Sequence, residues 1–462
     1  MVRKLVHFVF LSFGVCTSGT IWAQVQPVMR LPNAPLASRS LVAVAQGEAA
    51  SSGAEVLLTR QEADKIALAN NPRIRIGELL AKVQHQVVRE TRADELPDLS
   101  GNMTVAQAED ESRISSGGLT ASRLLEHAGM GVQVKQLVTD FGHTQNLVAS
   151  QKLNEKARLA DAEASREDIV LATDQVFFQA IEAEATLKVA VQTVSARQML
   201  VDQVSALTAA KLKSDLDLSF AQVNLSEAKL LQLDAQNNLD AAKAGLDAVL
   251  GYDRSMHYKL VAESGSLVAL PPDAESLIVM AIQSRPDLQS LQWSEQAARK
   301  FSRAQHEQFL PTISAMGAVG RTPLGSSEYF PTDWYGGVGV NMSVPIFNGF
   351  RYAAEASQAS LQAKAAAERS RDLRDQVVRD VRTAWLNANT AFERVAVTEE
   401  LLRQANRALD LAQTRYKLGL SSIVELSQAQ LQQTQAAIGD ANARSQYGFS
   451  MADLRFQTGV QP

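Results

Sequence analysis

The sequence is poor in the residues on which enzyme active sites most often depend. It contains one cysteine, Cys16, and six histidines in 462 residues. A single cysteine excludes a disulfide within the chain and a cysteine metal cluster. The sequence contains no G-x-S-x-G motif and no phosphate-binding glycine loop. No metal-ligand spacing occurs among the histidines, which are His7, His85, His127, His143, His257 and His306. We therefore predict that the chain is not an enzyme and needs no cofactor or metal.

The sequence also has no large excess of positive or of negative charge. The sequence has 45 lysines and arginines against 50 aspartates and glutamates, for a net charge of -5. This balance provides no general attraction to nucleic acid, and we predict no nucleic-acid partner. Beyond Ala23 there is no apolar run of about 18 residues, the length that a membrane-spanning helix requires. Any membrane span must therefore be made of strands.

The N-terminus has the layout of a secretory signal peptide over residues 1–23. Arg3 and Lys4 precede an apolar run that ends at Cys16, and small and polar residues follow up to Ala23. Cleavage is expected after Ala23, although Ile21 stands where a small residue is preferred. Cys16 lies inside the apolar run and follows Val15, which argues against lipid attachment. Residues 24–54, rich in alanine, serine and proline, are predicted to be a flexible linker.

The sequence contains an internal duplication. Asn71-Pro72 recurs as Arg285-Pro286 at an offset of 214 residues, and Asp217 corresponds to Glu425 at an offset of 208. The change in offset indicates a longer loop between the strands of the first copy. We predict a first repeat over 55–253, a linker over 254–272 and a second repeat over 273–462. The predicted strand hairpins cover about 98–138 and 312–347, and the predicted long helical hairpins cover 142–250 and 350–458.

Each repeat is predicted to contain a helix, a strand hairpin and two long helices. Helix formers dominate Gln61–Leu96 and Glu275–Leu310, and a proline follows each segment. Apolar residues then alternate with small or polar ones, as expected of strands, with the last strand predicted over Trp334–Phe347. Aromatic residues near its ends are typical of a membrane interface: Tyr329, Phe330, Trp334, Tyr335, Phe347 and Phe350. An ordinary amphipathic sheet in a soluble domain remains an alternative.

Long segments with no proline follow each hairpin. Continuous helices of 67 residues are predicted over 142–208 and 350–416, and each would reach about 100 Å at 1.5 Å per residue. An apolar stripe with alternating spacings of four and three runs along the second, which is typical of coiled-coil packing. Its members are Val377, Val381, Ala384, Ala388, Ala391, Val395, Thr398, Leu402, Ala405, Leu409, Ala412 and Tyr416. Such a helix spans a compartment rather than forming a compact core.

Taken together, the duplication, the paired prolines, the turns Gln136–Gly142 and Val344–Phe350, and the segment Tyr416-Lys-Leu-Gly419 resemble the TolC-like outer-membrane factors. The resemblance covers about 57–459. It implies a mainly α fold with a small β part, in which three chains share a twelve-stranded barrel continued by a helical tunnel across the periplasm. It also implies a homotrimer in outer-membrane lipid, a periplasmic adaptor protein and an inner-membrane transporter of the ABC or RND class.

The resemblance also suggests candidate site residues. Asp217 and Glu425 match the acidic ring at the tunnel entrance, although acids in the first turn of a helix also complement the helix dipole. Gln428 and Ser421 stand where many family members carry an acidic and a basic residue, which makes a familiar salt-bridged lock doubtful. The helical turns near the adaptor contain Lys211, Leu212, Tyr416, Gly419, Leu420 and Ser421.

We predict that the chain forms a passive exit duct and that it serves type I protein secretion. The turn Asp140-Phe141-Gly142 looks more like the secretion branch of the family, and many members of the efflux branch are lipoproteins. Two alternatives remain open. The chain could serve RND-type small-molecule efflux, or it could be an exported structural coiled coil.

Overall fold

A computed structural model describes residues 56–106, 113–114, 122–123, 127–254, 256–261, 270–324 and 334–459. The predicted signal peptide, the predicted linker over 24–54, and Tyr329 and Phe330 lie outside the described residues. The chain is mainly α-helical with a small β part, as predicted. None of the helices in the described part of the chain is long and apolar enough to cross a membrane.

Each repeat begins with two short helices rather than one. Helices α1 (Arg60–Asn70) and α2 (Pro72–Ala93) meet at Asn71, and α5 (Glu275–Ser284) and α6 (Pro286–Glu307) meet at Arg285. The predictions of one helix over Gln61–Leu96 and another over Glu275–Leu310 were therefore wrong. Asn71 and Arg285 are extended because the following proline disfavours α-helical backbone, while that proline suits the first position of a new helix.

Four strands form one antiparallel sheet in the order β2-β5-β7-β8. The strands are β2 (Asp98–Ala106), β5 (His127–Thr139), β7 (Thr312–Leu324) and β8 (Trp334–Ser343). β2 pairs with β5 and β7 with β8, while β5 pairs with β7 and so joins the two repeats. Strand β8 ends at Ser343, four residues before the predicted end at Phe347, and Pro345 close by has no backbone N–H to donate to a ladder.

Two smaller pairs of strands lie outside this sheet. Strand β1 (Val56–Leu58) pairs in parallel with β6 (Tyr258–Leu260), and β3 (Arg113–Ile114) pairs with β4 (Ser122–Arg123). The pair β1-β6 packs with α1 and two of the long helices around Phe177, Leu246 and Leu250, all of which are buried. This core joins the start of the first repeat to its end.

Two pairs of long helices make up most of the chain. Helices α3 (His143–Ala209) and α7 (Arg351–Lys417) have 67 residues each, and α4 (Asp215–Leu250) and α8 (Ile423–Thr458) have 36 each. The predicted length is confirmed, with both helices displaced by one residue. α3 packs against α4, α7 against α8, and α3 also contacts α8, so the two hairpins lie side by side.

The predicted stripe on α7 faces the interior. Nine of its twelve residues are buried, and the remaining three, Thr398, Leu402 and Leu409, are partly buried. Many of the buried residues are alanines, which let neighbouring helix backbones approach closely. Between the hairpins, the buried guanidinium of Arg197 on α3 donates a hydrogen bond to the side-chain oxygen of Gln430 on α8. The two repeats are thus joined along their helices as well as through the sheet.

Candidate functional site

The two turns at the ends of the long helices share one backbone geometry. Lys211 and Gly419 both have left-handed backbone, with φ of 59° and 74°. The next N–H in each turn reaches five residues back, from Leu212 to the carbonyl of Leu207 and from Leu420 to that of Arg415, both at 2.8 Å. This bond pattern is the Schellman motif, which normally prefers glycine at the left-handed position. The first repeat therefore keeps the turn without its glycine.

A shared hydrophobic cluster holds the two turns side by side. It contains residues of all four long helices and is called the tip cluster below: Leu200, Val204, Ala221, Ala412, Tyr416, Ile423, Leu426 and Ala429. Val204 is fully buried, and Leu426 and Tyr416 are 1% and 3% exposed. The tip cluster fixes the position of Asp217 relative to Glu425 within one chain, because each acid lies in the first turn of a helix that contributes to the cluster.

Tyr416 connects the second helical hairpin to the turn of the first. The ammonium nitrogen of Lys213 lies 4.1 Å from the centre of its ring, a cation–π contact worth about 0.5–1 kcal/mol at an exposed site. Burial raises the pKa of the Tyr416 hydroxyl, and the negative charge of Asp217 raises it further. That hydroxyl is buried and has no hydrogen-bond partner among the described residues. Its packing, and not a hydrogen bond, therefore holds Tyr416 in place.

Asp217 belongs to a helix cap. Its Oδ2 accepts hydrogen bonds from the Ser214 hydroxyl at 3.0 Å and from the Ser214 backbone N–H at 3.3 Å, while its own N–H donates to the Ser214 hydroxyl at 3.1 Å. This reciprocal pair is a capping box. These hydrogen bonds orient the carboxylate at the start of α4. They support the alternative considered from the sequence, in which Asp217 complements the dipole of its own helix.

Glu425 has a different partner. Its Oε1 lies 3.4 Å from Nε of Arg415, in the last turn of α7, and both side chains are about half exposed. An exposed ion pair of this kind contributes about 0–1 kcal/mol, but it offsets part of the carboxylate's charge locally. The pair joins the two helices of one hairpin. It does not involve Gln428 or Ser421, the positions at which many family members carry an acidic and a basic residue.

Exposed apolar side chains cover the outside of the turns. Leu212 and Leu420 are 71% and 67% exposed, and Leu216, Leu418 and Val424 are exposed as well. Ser421 differs, because its hydroxyl is buried without a hydrogen-bond partner among the described residues. The sequence indicated Lys211, Leu212, Gly419, Leu420 and the two acids, but it gave no signal for Lys213 or Arg415, whose contacts join separate elements.

Ligand-binding features are few elsewhere. Within the described ranges, no group of three histidine, cysteine, aspartate or glutamate side chains is arranged to hold a metal ion. Asp64 and Asp174 both accept from buried Arg60 at 3.2 Å; the first contact lies within α1, and the second joins α1 to α3. Such buried pairs are structural, because removing one partner leaves a buried charge uncompensated.

Comparison with known proteins agrees with the duplicated architecture. The family described as outer membrane efflux protein matches twice, over residues 65–252 and 277–460. Outer membrane protein TolC of Salmonella enteritidis is 22% identical over 414 residues, which are 85% of this chain and 80% of that protein. Alkaline protease secretion protein AprF of Pseudomonas aeruginosa is 24% identical over 252 residues, covering 52% and 50%.

A solved structure shares the fold. The crystal structure of CusC, described in connection with folding and transmembrane channel formation, superimposes with a TM-score of 0.77 at 19% identity. The match covers 87% of this chain and 92% of that one. At this identity the likeness extends to the fold alone.

Proposed function

As a member of the outer membrane efflux protein family, the chain is an outer-membrane channel of a tripartite export system, and we propose that it serves type I protein secretion. The family is not enzymatic, and its channels extend into the periplasm. An exported structural coiled coil is set aside, because both halves of the chain match a channel family.

The proposed assembly is a homotrimer whose sheets share one barrel of twelve strands. The four-stranded sheet ends at β2 and β8, each of which pairs with a single neighbour among the described strands. Unpaired backbone groups in lipid cost several kcal/mol each, so these edges need partners. On one face, Val338, Val340 and Met342 are 95%, 73% and 58% exposed. An apolar face of this kind suits contact with lipid.

The proposed entrance gate is formed by the acids at the helical turns. Three chains would bring three copies each of Asp217 and Glu425 to one constriction, which would favour cations. The capping box holds Asp217 at a fixed orientation, and the tip cluster keeps the two turns together. Replacing Asp217 and Glu425 together by alanine should lower the cation preference measured in planar bilayers. Unchanged selectivity would remove both residues from the gate.

The proposed adaptor contact is the apolar surface of the turns. The chain has no motif for nucleotide binding or catalysis, so an inner-membrane transporter must supply the work and a periplasmic adaptor must join the two. Leu212 and Leu420 present more than half of their surface to solvent at the extreme end of the hairpins. Photo-crosslinkers at these two positions should capture the adaptor, whereas a screen that finds no adduct at either would refute this placement.

The observation that carries the choice of protein cargo is the turn Asp140-Phe141-Gly142. Oδ2 of Asp140 accepts from the backbone N–H of Thr144 at 2.8 Å, and Oδ1 accepts from the N–H of Gly142 at 3.2 Å. Phe141 and Gly142 both have positive φ, so the chain reverses sharply into α3. This sequence resembles the secretion branch of the family. The partial similarity to a protein named for protease secretion supports the same choice.

The test compares a strain lacking the gene with its parent and with a complemented strain. We expect one large secreted or surface protein to disappear from the deletion strain, with susceptibility to dyes and antibiotics unchanged. New drug sensitivity with an unchanged set of secreted proteins would instead establish small-molecule efflux by an RND-class pump. That second candidate is favoured by the family's description as efflux proteins.

A further inference from the structure

A tyrosine near one end of the sheet lies flat across two glycines. Tyr335 on β8 is paired with Gly320 on β7, and Gly320 is paired with Gly131 on β5. A methyl group at Gly320 would overlap the Tyr335 ring and its hydroxyl and also the backbone carbonyl oxygen of Met130. One at Gly131 would overlap the hydroxyl and lie close to the backbone carbonyl oxygen of Val319. The ring therefore extends sideways over two neighbouring strands instead of standing away from the sheet, as side chains on strands usually do.

The burial of these residues agrees with that geometry. Gly320 is buried although it has no side chain and lies in a sheet whose neighbouring positions are largely exposed. Tyr335 itself is 46% exposed, compared with 95% for Val338 on the same strand. About half of the tyrosine surface is thus turned against the backbone of the strands that it covers. Glycine is the residue that permits such a close approach.

Gly131, Gly320 and Tyr335 form a row across three neighbouring strands, and this row lies on the face opposite to the apolar one. Successive residues of a strand point to opposite faces of the sheet. Tyr335 therefore shares a face with Gly337, Gly339 and Asn341, whereas Gly336 and Val338 lie on the other face. In the shared barrel, on which this inference rests, the apolar face contacts lipid and the face of small residues lines the lumen. Tyr335 is the second residue of β8, whereas α7 begins after the other end of that strand. The row therefore lies at the lumen end farthest from the helical tunnel.

We infer that Tyr335 sets the width of the outer end of the duct, and that Gly320 and Gly131 keep this end wide by letting the ring lie flat. A side chain at either glycine forces the ring off the sheet and into the lumen. Three chains contribute three such rings at one level, so the lumen narrows from three sides and the largest solute that can pass becomes smaller. Small ions are much less affected, because they pass between the raised rings.

A reporter cysteine measures access past the row. Asn341→Cys places a thiol on the same face, six residues farther along β8 toward the helices, and Cys16, the only natural cysteine, lies in the predicted signal peptide. Intact cells are treated from outside with a small methanethiosulfonate reagent or with a maleimide carried on polyethylene glycol. We expect Gly320→Ala to slow labelling by the large reagent and to leave labelling by the small one unchanged. The matched control is Gly337→Ala on the same face, where an added methyl meets nothing within 4 Å.

The double variant Gly320→Ala/Tyr335→Ala should restore labelling by the large reagent, because the overlap that remains is with the backbone carbonyl oxygen of Met130 and places no ring in the lumen. If Gly320→Ala does not assemble, Gly131→Ala is the second test. Its methyl group overlaps the Tyr335 hydroxyl and meets the carbonyl oxygen of Val319 at 3.0 Å, so Tyr335→Phe removes the larger overlap and should restore labelling by the large reagent. Equal rates for Gly320→Ala and Gly337→Ala would overturn the role of Tyr335 while leaving the channel intact. A reporter at Asn341 that neither reagent reaches in an assembled protein would contradict the shared barrel itself.

Discussion

The left-handed residue of the first helical turn offers a quantitative test of the duplicated architecture. Lys211 has φ of 59° where its counterpart in the second repeat, Gly419, has φ of 74°. Each is followed by the same hydrogen bond, at 2.8 Å in both turns. Lys211→Gly should therefore stabilise the protein, and Gly419→Ala should destabilise it, although neither change removes a contact of the side chain.

The magnitude follows from the backbone energies. A residue with a Cβ in left-handed conformation costs about 1–2 kcal/mol, and glycine loses about 0.5–1 kcal/mol more conformational entropy on folding than alanine does. The difference predicts that Lys211→Gly raises the free energy of unfolding by about 0.5–1 kcal/mol. Gly419→Ala should lose a similar amount, because a Cβ there meets nothing within 4 Å and the strain is confined to the backbone.

Thermal unfolding of the purified protein in detergent, followed by far-ultraviolet circular dichroism, measures both effects under matched scan rates. Lys211→Ala is the control, because it removes the charge and the long side chain but keeps the Cβ. We expect Tm to rise for Lys211→Gly, to change little for Lys211→Ala and to fall for Gly419→Ala. A rise of equal size for Lys211→Gly and Lys211→Ala would exclude backbone strain at residue 211 as the cause, since the gain would then come from removing the lysine side chain.

Three further changes test the site and the fold. Tyr416→Phe removes a buried hydroxyl without a partner among the described residues, so stability should stay equal or rise by about 1 kcal/mol in thermal unfolding; a clear loss would mean that the assembled protein satisfies that hydroxyl. Asp217→Asn should lower cation preference in planar bilayers more than Glu425→Gln does, because Arg415 already offsets the charge of Glu425; the reverse order would contradict this assignment. Burial raises the pKa of Asp453, so the wild-type carboxyl favours the folded state at pH values below 3.8 and loses that contribution as pH rises through its raised pKa. Asp453→Asn should therefore raise Tm at neutral pH, with a difference that shrinks toward pH 3.8, and a difference independent of pH would exclude this cause.

The parts of the fold that sequence predicts best are those with a strong local period. The heptad stripe from Val377 to Tyr416 predicted the buried face of α7, and the absence of proline predicted helices of 67 residues. The helix breaks at Asn71 and Arg285 were not predicted, because at each of them a single residue with extended backbone separates two helices. The prolines that follow these residues were visible in the sequence. Both prolines were interpreted as parts of longer helices because helix formers surround them.

The site was predictable only in part. Repeat correspondence indicated that Asp217 and Glu425 occupy equivalent positions, and both lie three residues after a serine helix cap. The stacking of Lys213 on Tyr416 and the pairing of Arg415 with Glu425 depend on how one helix docks against another. No local pattern specifies that docking, because it is set by the packing of all four helices in the tip cluster.

Type I secretion, as proposed, requires a polypeptide to pass through the lumen of this channel. One measurement tests this requirement: a photo-reactive amino acid is placed at Asn341 and cells are irradiated during active secretion. The matched control position is Val338, on the opposite face of the same strand, which we propose contacts lipid. We expect a covalent adduct between the channel and one secreted polypeptide at Asn341 and none at Val338. The absence of any polypeptide adduct at Asn341, in cells whose export of a fluorescent drug depends on the same channel, would contradict it.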